Sequence, residues 1–158
     1  MKIAVVMGSK SDLPKLESGI DLIKSYGIEV VVRILSAHRT PMELTSFLDE
    51  IKDNTDVIIA AAGKAAHLPG VIAAQTLIPV VGLPIKSSTM DGLDSLLSIV
   101  QMPSGIPVAT VTIDSGMNAA LMAIQIASVK YPVLRKKLAG YRKEMEEKVL
   151  ADDASVEF

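Results

Sequence analysis

KIAVVMGSKSDLP, residues 2–14, opens with an apolar run, stops at Gly8, turns polar through GSKSD and then meets a proline. The run is short, rich in β-branched residues and does not alternate, so it reads as a strand buried on both faces. Gly8 lets the chain turn sharply at the strand end. Beyond the loop, Leu13, Leu16, Ile20 and Ile23 recur at helical spacing, with Pro14 tolerated in the first turn and Gly27 as the stop. The same unit then repeats. EVVVRIL (29–35) is followed by SAHRTP and a second helix. Thr40 as N-cap, Pro41 at the first helical position and Glu43 as the return partner predict a capping box there. DVIIAAA (56–62) leads through GKAAHLPG into a helix near 70–76. PVVGLP is a fourth strand, followed by a loop from Ile85 to Gly92, a helix at 93–101, a fifth strand at 107–113 (PVATVTI) and a small-residue helix at 117–129.

Strands alternating with helices in this way predict an α/β fold, a parallel sheet covered on both faces. Five strands in this length fit a flavodoxin-like three-layer arrangement with strand order 2-1-3-4-5. Residues 1–130 form this domain. Leu134, Leu138, Tyr141, Met145 and Val149 recur at three- and four-residue steps, predicting an extra amphipathic C-terminal helix over 131–150. That helix can pack on its own subunit or on a neighbour. The tail ADDASVEF, 151–158, is expected to fray.

The chain has 158 residues, 49% of them hydrophobic, with net charge −2 and no cysteine. The length predicts one domain. The charge excludes a general polyanion binder, so no nucleic-acid partner is expected. Without cysteine there is no disulfide scaffold, thiol nucleophile or thiolate-held metal, and two histidines argue against a His-rich metal site. The apolar runs are broken by Gly, Pro and charge, so no membrane span or signal segment is expected, and the location expected is cytoplasmic. Residues 54–112 carry five charged side chains, Asp56, Lys64, Lys86, Asp91 and Asp94, and 115–129 carry none. So little charge over the middle of a small protein predicts central sheet or burial against other subunits.

Ligands of such sheets sit outside the carboxyl ends of the strands, which singles out the first three loops. In GSKSD, Ser9 and Ser11 offer donors at a helix start, where a phosphate is favoured, and Asp12 can cap the helix or accept from a ribose; a plain turn with an N-cap explains the same residues. In SAHRTP, Arg39 can hold a phosphate bidentately and His38 is the natural acid/base near neutral pH. In GKAAHLPG, Gly63, Ala65 and Ala66 allow close approach of the main chain to a ligand, while His67 can bond the loop or line the pocket. No Ser-His-Asp set is suggested, and the acidic cluster of a phospho-acceptor receiver domain is missing.

MGSKSD, SAHRTP, AGKAAHLPG, PVVGLP and DSLLSIVQMPSGIPVATV, in this order and spacing, closely resemble the PurE family of purine biosynthesis over about residues 3–130. The resemblance implies an isomerase, N5-carboxyaminoimidazole ribonucleotide mutase, which moves a carboxylate from the exocyclic nitrogen to ring carbon C4 by decarboxylation and recarboxylation, with no metal, ATP or organic cofactor. It implies His38 as acid/base. Ser9, Asp12 and Arg39 would hold phosphate and ribose, with Ser11, Ser36 and Ala37 also against the substrate. The segment Gly63, Lys64, Ala65, Ala66, His67 and Leu68 would surround base and carboxylate. It further implies a homo-octamer with sites where subunits meet. Two departures stand out: Lys64, where a smaller or uncharged residue is usual, and TIDSGMNAAL, shorter than the usual linker. The competing readings are direct carboxylation of aminoimidazole ribonucleotide by carbon dioxide, and a non-catalytic flavin- or nucleotide-binding module of the same fold.

Overall fold

A computed structural model describes residues 1–157. Five parallel strands, β1 (Lys2–Met7), β2 (Glu29–Ile34), β3 (Val57–Gly63), β4 (Val80–Ile85) and β5 (Ala109–Thr110), form one sheet in the order β2-β1-β3-β4-β5. The order is the one expected from the sequence. β1 lies between β2 and β3, with Met7 paired to Ile34 on one side and Ala61 on the other. The helices are α1 (Glu17–Ser25), α2 (Pro41–Ile51), α3 (Leu68–Ala73), α4 (Leu93–Val100), α5 (Gly116–Ala127) and α6 (Pro132–Ala154). A 3-10 turn at Lys10–Lys15 precedes α1 and takes up Pro14.

Alternate residues of the central strands feed two cores. Ile3, Val5, Met7, Ile59 and Leu83 meet Ile20 and Ile23 of α1, Ala120 and Ile124 of α5, and Leu134 of α6. Ala4, Val6, Ile58 and Ala60 meet Leu44, Phe47 and Leu48 of α2, Ile72 of α3 and Ile99 of α4. On the first face α1 and α5 approach closely. A Cβ added to Gly116 would collide with the backbone of Lys15, and one added to Gly19 with the backbone of Gly116.

Four local expectations change. The capping box at α2 does not form, because Thr40 is used elsewhere: its Oγ1 accepts from Ser36 N–H at 2.9 Å and donates to Ser36 O at 3.2 Å, closing the SAHRTP loop on itself. The fifth strand shrinks from 107–113 to two residues, although Val111 N–H still reaches Gly82 O; Pro107, with no N–H to give, sits where that strand was to begin. The third helix starts at Leu68, two residues before the expected 70, with Pro69 in its first turn. The C-terminal helix continues through residues 151–154 of the expected frayed tail, and Ser155 N–H closes it on Asp152 O. Phe158 lies outside the described residues. Leu134 and Leu138 of α6 are buried, whereas Met145, Val149 and Leu150 are exposed, so only the first turns pack on their own subunit. Among the described residues no helix is long and apolar enough to cross a membrane.

At the amino end of the sheet Asp56 clamps distant parts of the chain. Its Oδ2 accepts from Lys2 N–H at 2.9 Å, and its Oδ1 from Lys130 Nζ at 2.9 Å and Tyr131 OH at 3.1 Å. Burial alone pushes its pKa up, but these three hydrogen bonds outweigh it and hold the carboxyl below the usual 3.8. A depressed carboxyl stabilises the fold above its unfolded pKa, and that contribution fades as pH falls through the folded value. Asp56→Asn is therefore expected to cost about 1–2 kcal/mol at pH 7. In urea melts the gap between variant and parent should narrow once the pH drops below about 4; a gap independent of pH would contradict the clamp.

Candidate active site

The carboxyl ends of β1 to β4 open into one cleft of about 640 Å³. It is lined by three loops that the sequence singles out, after β1, β2 and β3, and by a fourth after β4. β1 ends at Gly8, whose N–H bonds Ala61 O across to β3 at 3.3 Å. Ser9 follows as N-cap of the 3-10 turn, its Oγ accepting from Ser11 N–H at 3.3 Å. Ser11 Oγ lies 2.8 Å from Ser9 Oγ and 3.2 Å from Asp12 Oδ1. The plain reading of GSKSD, a turn with an N-cap, is thus realised, and the same hydroxyls still face the cleft. Burial lifts the Asp12 carboxyl above its usual pKa, against the opposing pull of hydrogen bonds from Ser11 and the Ser9 backbone.

The second loop is tied to the first by Arg39. Its Nη2 donates to Gly8 O at 2.6 Å and its Nε to Ser36 Oγ at 3.4 Å. Ser36 Oγ also accepts from the backbone N–H of His38 and Arg39, so one hydroxyl shapes the whole turn. A guanidinium carries five N–H protons; these two bonds leave three of them without a protein acceptor among the described residues. Arg39 therefore positions two loops and still presents a cationic fork.

The third loop brings His67 to His38. His38 Nε2 lies 2.8 Å from His67 Nδ1, and the rings meet edge to face at 82°. Two imidazole nitrogens at this distance need one proton between them, so one ring donates and the other accepts. The pair leaves His38 Nδ1 and His67 Nε2 for other partners. The loop reaches this geometry through tight turns, Ala66 N–H to Lys64 O at 2.9 Å and His67 N–H to Ala65 O at 2.8 Å, with Lys64 at φ +57°.

Of the residues proposed from sequence, Ser9, Ser11, Asp12, Ser36, Ala37, His38, Arg39, Gly63, Lys64, Ala65, His67 and Leu68 all line the cleft. Ala66 does not: it is buried, packed in the apolar cluster with Ala62, Leu68 and Ile72. The structure adds Lys86, Ser87 and Ser88 from the fourth loop, which the sequence reading left aside. Lys86 Nζ pairs with Asp91 at 2.7 Å, and Ser87 Oγ meets both oxygens of Asp94, at 2.6 and 2.8 Å. The signal for them was present, since β4 ends at the same edge as β1 to β3.

A sequence profile described as AIR carboxylase matches residues 2–148. The chain belongs to the AIR carboxylase family. A relative from Pyrococcus horikoshii named N5-carboxyaminoimidazole ribonucleotide mutase is 51% identical over 148 residues, covering 93% of this chain and 84% of the relative. One of the same name from Methanocaldococcus jannaschii is 50% identical over 156 residues, covering 98% and 96%. The crystal structure of Treponema denticola PurE superposes with a TM-score of 0.91 at 30% identity, covering 99% of each chain. Membership places the cleft of this AIR carboxylase family chain within a fold shared along the whole length.

The paired imidazoles make a direct prediction. In His67→Ala the His38 Nε2 loses its partner, so its ¹⁵N resonance should move while the Nδ1 resonance shifts less. An unmoved Nε2 resonance would show that the rings are not bonded in solution.

Proposed function

We propose that this chain acts in purine biosynthesis as an N5-carboxyaminoimidazole ribonucleotide mutase, with His38 as its acid/base. The observation that carries the reading is the His38–His67 pair at 2.8 Å, set in a cleft that also holds an arginine fork and a cluster of hydroxyls. The cleft volume, about 640 Å³, falls in the range that encloses small-molecule ligands.

The chemistry balances around one proton. Cleavage of the bond between the exocyclic nitrogen and the carboxylate carbon leaves carbon dioxide and requires a proton at that nitrogen. Carbon C4 then attacks carbon dioxide and, once carboxylated, gives up its proton. A single imidazole that delivers the first proton and collects the second closes the cycle. His67, bonded to His38, orients the ring and offers the proton a second resting place. Ser9, Ser11 and Arg39 anchor the phosphate, Asp12 the ribose, with Ser36 and Ala37 shaping the turn beside them. This remote binding orients the base over His38. Gly63, Ala65, His67 and Leu68 wall the end where carbon dioxide must be retained, and Ala66 supports that wall from beneath. The cycle needs neither metal nor organic cofactor.

We also propose a cytoplasmic homo-octamer whose sites form where subunits meet. Exposed apolar residues of α6, Met145, Val149 and Leu150, and of the α4 segment, Met90, Leu93, Leu97 and Val100, support burial against other copies. Light scattering behind a sizing column should return about eight times the 16.8 kDa chain mass; a monomer mass would refute the assembly.

The reaction itself is tested by giving purified protein N5-carboxyaminoimidazole ribonucleotide without ATP or added bicarbonate and following formation of the C4-carboxylated product. His38→Asn should lower turnover by at least about 10²-fold with an unchanged melting temperature. Activity only with aminoimidazole ribonucleotide plus bicarbonate would instead identify a direct carboxylase. Near-parental turnover in His38→Asn would overturn the assigned role.

A further inference from the structure

Lys64 is set apart from every other cation of the cleft. Arg39 is bonded to Gly8 O and Ser36 Oγ, and Lys86 is paired with Asp91 at 2.7 Å. Lys64 lines the same cleft, is exposed, and among the described residues has no carboxylate within ion-pairing distance of its ammonium and no side-chain hydrogen bond. It also occupies a backbone conformation, φ +57°, that side chains other than Asn, Asp and Gly seldom adopt. Among the described residues the other two non-glycine residues with positive φ are Asp91 and Asp114, whose short side chains tolerate it. A glycine at position 64 would relieve the strain, so the local fold does not ask for a lysine. Strained residues of this kind cluster at functional sites.

Its place in the cleft says which group it serves. Gly63, its neighbour, pairs with Ile85 of β4, so Lys64 leaves the sheet on the β3–β4 side. Arg39 and the Ser9–Asp12 turn lie on the β1–β2 side. Three residues after Lys64 comes His67, whose ring meets His38. Lys64 thus shares its loop with His67, one ring of the acid/base pair, whereas Arg39 stands on the loop after β2. The ribonucleotide proposed above carries two anionic groups, a phosphate at one end and a carboxylate at the other. The fork takes the first, and the second needs a separate cation.

We infer that the Lys64 ammonium is the counter-ion of the migrating carboxylate and sets the preference of the cleft for carboxylated over uncarboxylated aminoimidazole ribonucleotide. This rests on the mutase reading. The chemistry has a consequence, because the carboxylate is present in substrate and product but is neutral carbon dioxide in between. A fixed cation deepens both ends of the path relative to the middle and favours recapture of carbon dioxide over its escape. The lysine therefore tightens binding and keeps the two half-reactions coupled rather than speeding bond cleavage.

The test uses Lys64→Met, which keeps an unbranched apolar stem and removes the charge, Lys64→Gly, which also removes the strain, and Lys64→Arg, which keeps the charge. Binding of the C4-carboxylated ribonucleotide and of aminoimidazole ribonucleotide is measured by calorimetry at low salt. Losing a charge-assisted hydrogen bond should weaken the carboxylated ligand about tenfold in Lys64→Met and Lys64→Gly. Affinity for the uncarboxylated ligand should stay within about twofold, and Lys64→Arg should restore most of the difference. Aminoimidazole ribonucleotide should also leak more per turnover in the uncharged variants. Equal weakening of both ligands, or none, with a parent that turns over overturns this inference alone. A parent that does not convert N5-carboxyaminoimidazole ribonucleotide overturns the mutase reading, and the inference with it.

Discussion

The side-by-side pairing of β1 with β3 is the constraint on which the site depends. Their register, Met7 opposite Ala61, places Gly8 and Gly63 at one edge, and the Gly8 N–H to Ala61 O bond continues the ladder into the loop. From this pair the chain builds outward in opposite directions, to β2 on one side and β4 on the other. Loops that leave on opposite sides cannot cover the pair, and the crevice between them is the cleft. Both strands are buried almost throughout. A polar side chain in their interior would therefore disturb the two cores and the loop positions together.

The helical layer on one face is fixed nearly as tightly. Gly19 and Gly116 let α1 and α5 meet backbone to backbone, and the small residues Ala119, Ala120 and Ala123 continue the seam along α5. Where α5 begins, Asp114 accepts from Lys86 N–H at 2.8 Å and pairs with Lys15 Nζ at 2.8 Å. It thereby ties the first loop region to the fourth. The close packing of α1 on α5 and the shape of the cleft mouth are consequently one problem: displacing either helix moves Lys15, Asp114 and the start of the Lys86 loop.

The strand order, the three layers and most of the cleft were legible because parallel strands buried on both faces announce themselves as unbroken apolar runs, and because Gly and Pro punctuate them. Thr40 shows where such reading stops. Its sequence context is that of a helix cap, yet two hydrogen bonds to Ser36, four residues back in the same loop, capture it, a local choice between equivalent partners for one hydroxyl. The contact of His67 with His38 was equally out of reach, since 29 residues separate them and only the pairing of β2 and β3 on either side of β1 brings their loops together. Ala66 was misplaced for the converse reason. Composition marked its loop as one allowing close approach, but one turn of a tight loop decides which methyl meets the cleft and which meets Ile72.

The distribution of charge follows from the same geometry. Strands buried on both faces leave no room for ionised side chains along residues 54–112 except at their ends. Of the five charges there, Asp56 sits at the amino end and clamps Lys2, Lys130 and Tyr131. The other four gather at the carboxyl end, where Lys86 with Asp91, and Asp94 in the first turn of α4 with Ser87, are satisfied by local partners. Lys64 alone is left over. In a segment where each other charge has a structural partner, the ammonium without one is the group that the proposed carboxylate contact would employ.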